Sequence, residues 1–237
     1  MSLQAIARRL NIAVLQTGRA PDELQAQHGD YDSMCKALLG LKPNEATTYA
    51  ILDGEFPVEP EAYDVLLITG SRHGVYEAYD WIPRLETLIR EAYSRKQKLI
   101  GICFGHQIIA RALGGVVEKS DKGFGIGVMD YALARQDGAQ APISLCAWHQ
   151  DQIVAPPPGA KVIAHSEFCA IAGLAYEDIA ISFQAHPEFT RDYVRDLIEL
   201  RTPSMLDPGF ATHSLGTLEQ SVDQDIIQAE IKQFLKR

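Results

Sequence analysis

No run of eighteen consecutive apolar residues occurs in this 237-residue chain, so no segment qualifies as a membrane-spanning helix. No positively charged leader followed by an apolar stretch opens it, which points to a cytoplasmic protein. Basic residues are in short supply: 22 lysines and arginines face 31 aspartates and glutamates, a formal net charge of −9. Such a field repels polyanions, so nucleic acid is not expected as a partner. Cysteines are few and scattered. Cys35, Cys103, Cys146 and Cys169 show no C-x-x-C spacing, which fits neither a zinc site nor a disulfide framework, and reduced thiols are expected. The phosphate-binding pattern G-x-x-x-x-G-K-[ST] is missing, as are internal repeats and low-complexity tracts.

What is present reads as a folded α/β chain. A hydrophobic share of 46% over this length can bury a full core, and residues 1–237 are expected to form one domain. The runs "NIAVLQT" at 11–17, "TTYAIL" at 47–52, "DVLLITG" at 64–70 and "KLIGIC" at 98–103 have the character of buried strands. Between the first two, "DYDSMCKALLG" at 30–40 has an acidic start, an apolar middle and a closing glycine, the signals of a helix. Residues 81–97 place Ile82, Leu85, Leu88, Ile89, Ala92 and Tyr93 on one helical face. Strands alternating with amphipathic helices predict a mainly parallel central sheet flanked by helices. Beyond Gly115 the pattern changes to short runs at 125–133, 144–153, 161–164, 172–175 and 179–184, which predict a smaller antiparallel strand region. "PPPG" at 156–159 reads as a turn. Residues 191–237 are expected to form a C-terminal helical extension. Its last helix, over 217–237, carries Leu218, Val222, Ile226 and Ala229 on one stripe and Ile227, Ile231 and Phe234 on another.

Two short stretches bear chemistry. Gly101-Ile102-Cys103-Phe104-Gly105 has the form of a nucleophile elbow with cysteine at its centre. Small neighbours let a strained strand-to-helix turn hold the thiol out of the sheet, and the helix that follows turns its free N–H groups towards it. Taken alone, the pentapeptide equally fits a small buried thiol between two apolar residues. Nucleophilic cysteine needs a base, and "AISFQAHPEF" supplies His186, fixed by Pro187 and followed by Glu188. That tripeptide alone also fits a strand exit closed by proline. Together the two stretches favour catalysis. His106 is expected to point into the fold. His149 and Asp151 lack a third ligand at regular spacing, so no metal is expected.

GICFGHQ at 101–107 with HPE at 186–188, 83 residues from the cysteine to the histidine, resembles the class I glutamine amidotransferase family. "LLITGSRHGVYE" at 66–77 is similar to that family's oxyanion loop, although many members carry Gly-Gly-Pro where this chain has Gly70-Ser71-Arg72. "WHQDQI" at 148–153 extends the likeness, which covers residues 12–189. The resemblance implies a flavodoxin-like class I glutamine amidotransferase architecture. It also implies a triad of Cys103, His186 and Glu188 that cleaves a γ-glutamyl amide through a γ-glutamyl thioester. By the same likeness the oxyanion would be held by Phe104 and by Gly70 or Ser71. Gln107 would contact bound glutamine, and Gly125, Ile126 and Gly127 would supply main-chain contacts. No cofactor is implied. The substrate would be glutamine or another γ-glutamyl compound, and the chain either a stand-alone glutaminase or the ammonia-supplying partner of a separate synthase subunit. A γ-glutamyl peptidase acting on glutathione-like compounds is the alternative, and a non-catalytic regulatory binding module a further one.

Overall fold

Apolar runs flanked by turn residues become strands here because both faces of the sheet are covered. The computed structural model describes residues 1–134, 139–202 and 204–237. Its strands are β1 (Ile12–Gln16), β2 (Thr47–Ala50), β3 (Val65–Ile68), β4 (Lys98–Ile102), β5 (Val116–Lys119), β6 (Gly125–Ala134), β7 (Gln140–His149), β8 (Asp151–Ala155), β9 (Lys161–His165), β10 (Gly173–Tyr176) and β11 (Ala180–Phe183). Nine of them form one sheet in the order β2-β1-β3-β4-β11-β10-β9-β6-β7, while β5 and β8 pair separately. From β2 to β11 neighbouring strands are parallel, and from β11 to β7 they are antiparallel. The antiparallel region expected from the sequence therefore continues the parallel sheet edge to edge.

The helices are α1 (Leu3–Ala7), α2 (Asp22–His28), α3 (Tyr31–Leu38), α4 (Trp81–Ser94), α5 (Phe104–Ala112), α6 (Arg191–Arg201), α7 (Pro208–Thr217) and α8 (Gln224–Lys236). Alternate residues of each central strand serve opposite faces. Ile12, Val14, Val65 and Leu67 pack with Leu38 of α3 and with Ile227, Ile231 and Phe234 of α8. Ala13, Leu15, Leu66 and Ile68 pack with Leu85 and Ile89 of α4 and Ile108 of α5. A third cluster joins Ile126 and Val128 of β6 to Tyr193 and Leu197 of α6. Among the described residues no helix is long and apolar enough to cross a membrane.

Two sequence expectations are corrected. The helix expected over 217–237 is split: α7 ends at Thr217 and α8 starts at Gln224. The Arg191 guanidinium donates to the carbonyls of Leu218 and Gln220, and the Asp223 carboxylate accepts from the Ser144 N–H at 2.8 Å. Those long-range bonds replace the helical ones. Leu218 and Val222 consequently pack in the third cluster and not on α8. The run 144–153 is likewise two strands, broken at Gln150 where the chain passes from the large sheet to the small one.

Candidate active site

Cys103 lies between β4 and α5 with φ 52° and ψ −103°, the strained conformation an elbow demands, at a cost of about 1–3 kcal/mol. Only glycines allow the turn. A Cβ on Gly105 would stand 2.3 Å from the Ile68 carbonyl oxygen, and one on Gly101 would stand 2.5 Å from the Gly105 oxygen. The Cys103 N–H donates to Phe183 O at 2.8 Å, which ties the elbow to the end of β11. Phe104 begins α5, so its N–H precedes the helix's own acceptors.

β11 lies beside β4 and leads into His186 just as β4 leads into Cys103. Both residues therefore sit at the carboxyl ends of adjacent parallel strands, where open α/β sheets form crevices. His186 N–H donates to Cys146 O at 2.8 Å, fixing the backbone, and the Phe189 ring stacks on the imidazole with centroids 4.0 Å apart. Nδ1–H of His186 donates to Glu188 Oε1 at 2.7 Å, with both side chains buried. Nε2 has no hydrogen-bond partner among the described residues, and the Cys103 side chain is a neighbour of the ring. Burial works against charge on the ring, but Glu188 and Cys103 outweigh it and push the imidazole up to about 10.

Around this pair opens a cleft of 780 Å³. Ser71, Cys103, Gln107 and His186 line it, while Glu188 stands behind His186. Gly70 lies against the histidine: a Cβ there would meet His186 Cε1 at 3.0 Å and Cys103 Cβ at 3.7 Å. Gln107 Nε2 donates to Asp151 O at 2.9 Å and to Gln184 Oε1 at 3.0 Å. Gly125, Ile126 and Gly127 are not brought to the cleft wall, which passes through Phe124 and Trp148 instead. Gly127 faces α7, where a Cβ would lie 2.2 Å from Thr217 Oγ1. Arg72 and His73 line the cleft as expected from their loop. His73 is held by Glu77 at 3.2 Å, and Arg72 has no ion pair among the described residues.

Sequence reasoning missed Gln184, whose amide reaches Cys103 Sγ at 3.6 Å. A polar side chain two places before His186, at the end of a buried apolar run, was the available signal. It also missed Tyr31, which lines the cleft and packs on Phe189. His106 points into the fold as expected. Its Nε2–H donates to Ile171 O at 3.1 Å, its Nδ1 accepts from the Ser182 hydroxyl at 2.8 Å, and burial lowers it to about 4. His149, buried and repelled by His186, is lowered to about 3. Burial pushes the Cys146 and Cys169 thiols up to about 12, which leaves them unreactive. Among the described residues no group of three or more His, Cys, Asp or Glu side chains is placed to hold a metal.

Fold and sequence now agree on a class. The family model for glutamine amidotransferase class-I matches residues 39–195, and the chain belongs to that family. It is 32% identical over 223 residues to gamma-glutamyl peptidase 4 of Arabidopsis thaliana, covering 89% of each. It is 30% identical over 175 residues to the glutamine-hydrolyzing GMP synthase of Thermus thermophilus, covering 67% of this chain and 32% of that protein. A glutamine amidotransferase structure from Thermotoga maritima shares the fold, with a TM-score of 0.70 at 21% identity over 96% of this chain and 97% of the other.

Proposed function

We propose that the protein hydrolyses γ-glutamyl amide bonds with Cys103, His186 and Glu188 as its triad. The observation that carries the reading is the buried 2.7 Å bond from His186 to Glu188, which leaves the other imidazole nitrogen for Cys103. Cys103 sulfur attacks the γ-carbonyl, and the N–H groups of Phe104 and Ser71 receive the oxyanion. Protonated His186 gives its proton to the departing amine as the C–N bond breaks, leaving a γ-glutamyl thioester. Water then attacks the thioester while His186 takes its proton. Glutamate leaves and the thiol is restored. Treatment with a glutamine-analogue electrophile, read by mass spectrometry, should label Cys103 alone; labelling of Cys35, Cys146 or Cys169 in its place would sink the assignment. His186→Ala and the double change Cys103→Ala/His186→Ala should lose nearly equal activity, as members of one catalytic unit do.

The leaving amine is either ammonia, released to solvent or passed to a separate synthase subunit, or the amine of a peptide. The cleft favours a peptide. Its 780 Å³ falls within the ~300–1,000 Å³ that holds drug-sized ligands, and Arg72 on its wall, near Glu77 but in no ion pair among the described residues, can pair with a carboxylate. Comparison of kcat/KM for glutamine, glutathione and γ-glutamyl dipeptides, in wild type and Arg72→Ala, separates the two. Rapid glutamine hydrolysis untouched by the substitution rejects the peptidase branch.

A further inference from the structure

A peptide unit has its carbonyl and N–H on opposite edges, so fixing one aims the other. We infer that Thr17 and Thr69 form a positioning pair that pins the Gly70 carbonyl and thereby aims the Ser71 N–H at the site beside Cys103. The inference rests on the γ-glutamyl hydrolase reading above. Both threonines are fully buried. Thr17 N–H donates to Thr69 Oγ1 at 3.0 Å, and the Thr69 hydroxyl lies 3.1 Å from Gly70 O. The Thr17 hydroxyl lies 2.9 Å from Thr69 O, 3.2 Å from Gly70 O and 3.3 Å from Thr69 Oγ1. Two hydroxyl protons thus serve two carbonyls: with Thr17 on Thr69 O, the nearer of its acceptors, the Thr69 hydroxyl is left for Gly70 O at 3.1 Å.

The sheet sets the direction. Thr17 follows β1, Gly70 follows β3 and Cys103 follows β4, and the three strands are neighbours in that order. With its carbonyl drawn towards the β1 side, the Gly70–Ser71 peptide turns its N–H towards the β4 side, where Cys103 sits. Gly18 closes the carbonyl side as well: a Cβ there would lie 2.8 Å from both Gly70 O and Ser71 Cα. Rotating the peptide out of this orientation would strip a buried carbonyl of its donors, an unfavourable exchange. The oxyanion donor is therefore set before substrate arrives.

Four variants of the full chain test this: Thr17→Val and Thr69→Val remove the hydroxyls, and Thr17→Ser and Thr69→Ser keep them. Hydrolysis of glutamine and γ-glutamylglycine is measured per mole of Cys103 that an electrophile can label, so that misfolded protein does not count. Either valine variant should lower kcat by about tenfold or more with KM changed less than twofold, against the ~10²–10³ lost when an oxyanion donor is removed outright. Serine should restore it. Thr17→Val carries the test if Thr69→Val, which also orphans the Thr17 N–H, fails to fold. A kcat within twofold of wild type in the valine variants, or a loss confined to KM, overturns the inference while the hydrolase reading stands. A wild type that neither labels at Cys103 nor cleaves either substrate overturns the hydrolase reading itself.

Discussion

Three buried histidines sit within reach of one another, and burial alone does not tell them apart. It lowers His106 to about 4 and His149 to about 3, yet His186 rises to about 10 because Glu188 and Cys103 face it. The neighbour, not the degree of burial, decides the charge. Glu188→Gln keeps the shape of the side chain and removes that charge. On the proposed mechanism turnover should fall by roughly 10²–10⁴, since the imidazolium that donates in the first half-reaction and re-forms in the second loses its counter-ion. The same contact has a signature in stability. A histidine raised from 6.5 to about 10 contributes stability that is full below pH 6.5 and is lost as pH rises through about 10. Urea denaturation should show the wild-type advantage over Glu188→Gln shrinking across that window. A difference independent of pH would mean that Glu188 acts through packing alone.

Among the elements, the β4–α5 turn is the least tolerant. Gly105→Ala would drive a methyl group to 2.3 Å from the Ile68 carbonyl, and overpacking of this kind costs about 1–3 kcal/mol. A lowered denaturation midpoint together with slower labelling of Cys103 is expected; an unchanged midpoint would mean that the elbow has slack. This turn was legible in the sequence because its constraint is local: two glycines flank one strained residue within five positions. The parallel strands and α4 were legible for a similar reason, since hydrophobic period and strand length are properties of short windows. What escaped depends on partners far away in the chain. Nothing near residue 220 announces that Arg191 will take the carbonyls of Leu218 and Gln220, and so the break between α7 and α8 was invisible. The Thr17–Thr69 pair spans 52 residues, and its threonines look in sequence like ordinary strand ends. Gly125 to Gly127 were expected at the cleft by likeness, but Gly127 packs on α7 and Gly125 against Phe168 and Met129.

At the scale of the molecule, the site lies where the parallel and antiparallel halves of the sheet meet; buried neutral His106 ties that junction, and buried neutral His149 stands on the cleft wall. His106 of α5 binds Ser182 on β11 and Ile171 before β10, and His149 ends β7, with its Nδ1–H 3.3 Å from Asp151 O. Both pKa values are depressed from 6.5, so the unfolded chain binds protons that the folded chain refuses. Stability supplied by these two groups is present above pH 6.5 and is lost as pH falls towards 4 and 3. Ordinary aspartates and glutamates titrate near 3.9 and 4.3, which leaves the interval from about pH 6.5 to 5 largely to histidine. At about 1.4 kcal/mol per pH unit, each of the two should cost on the order of 2 kcal/mol across that interval. His106→Gln can still donate to Ile171 O and accept from Ser182, but it takes up no proton on unfolding. Urea unfolding at pH 7, 6 and 5 should therefore show a shallower loss of stability in this variant than in wild type, by about the contribution of one group. Equal slopes would show that His106 is protonated in the folded protein, and the neutral junction would have to be abandoned.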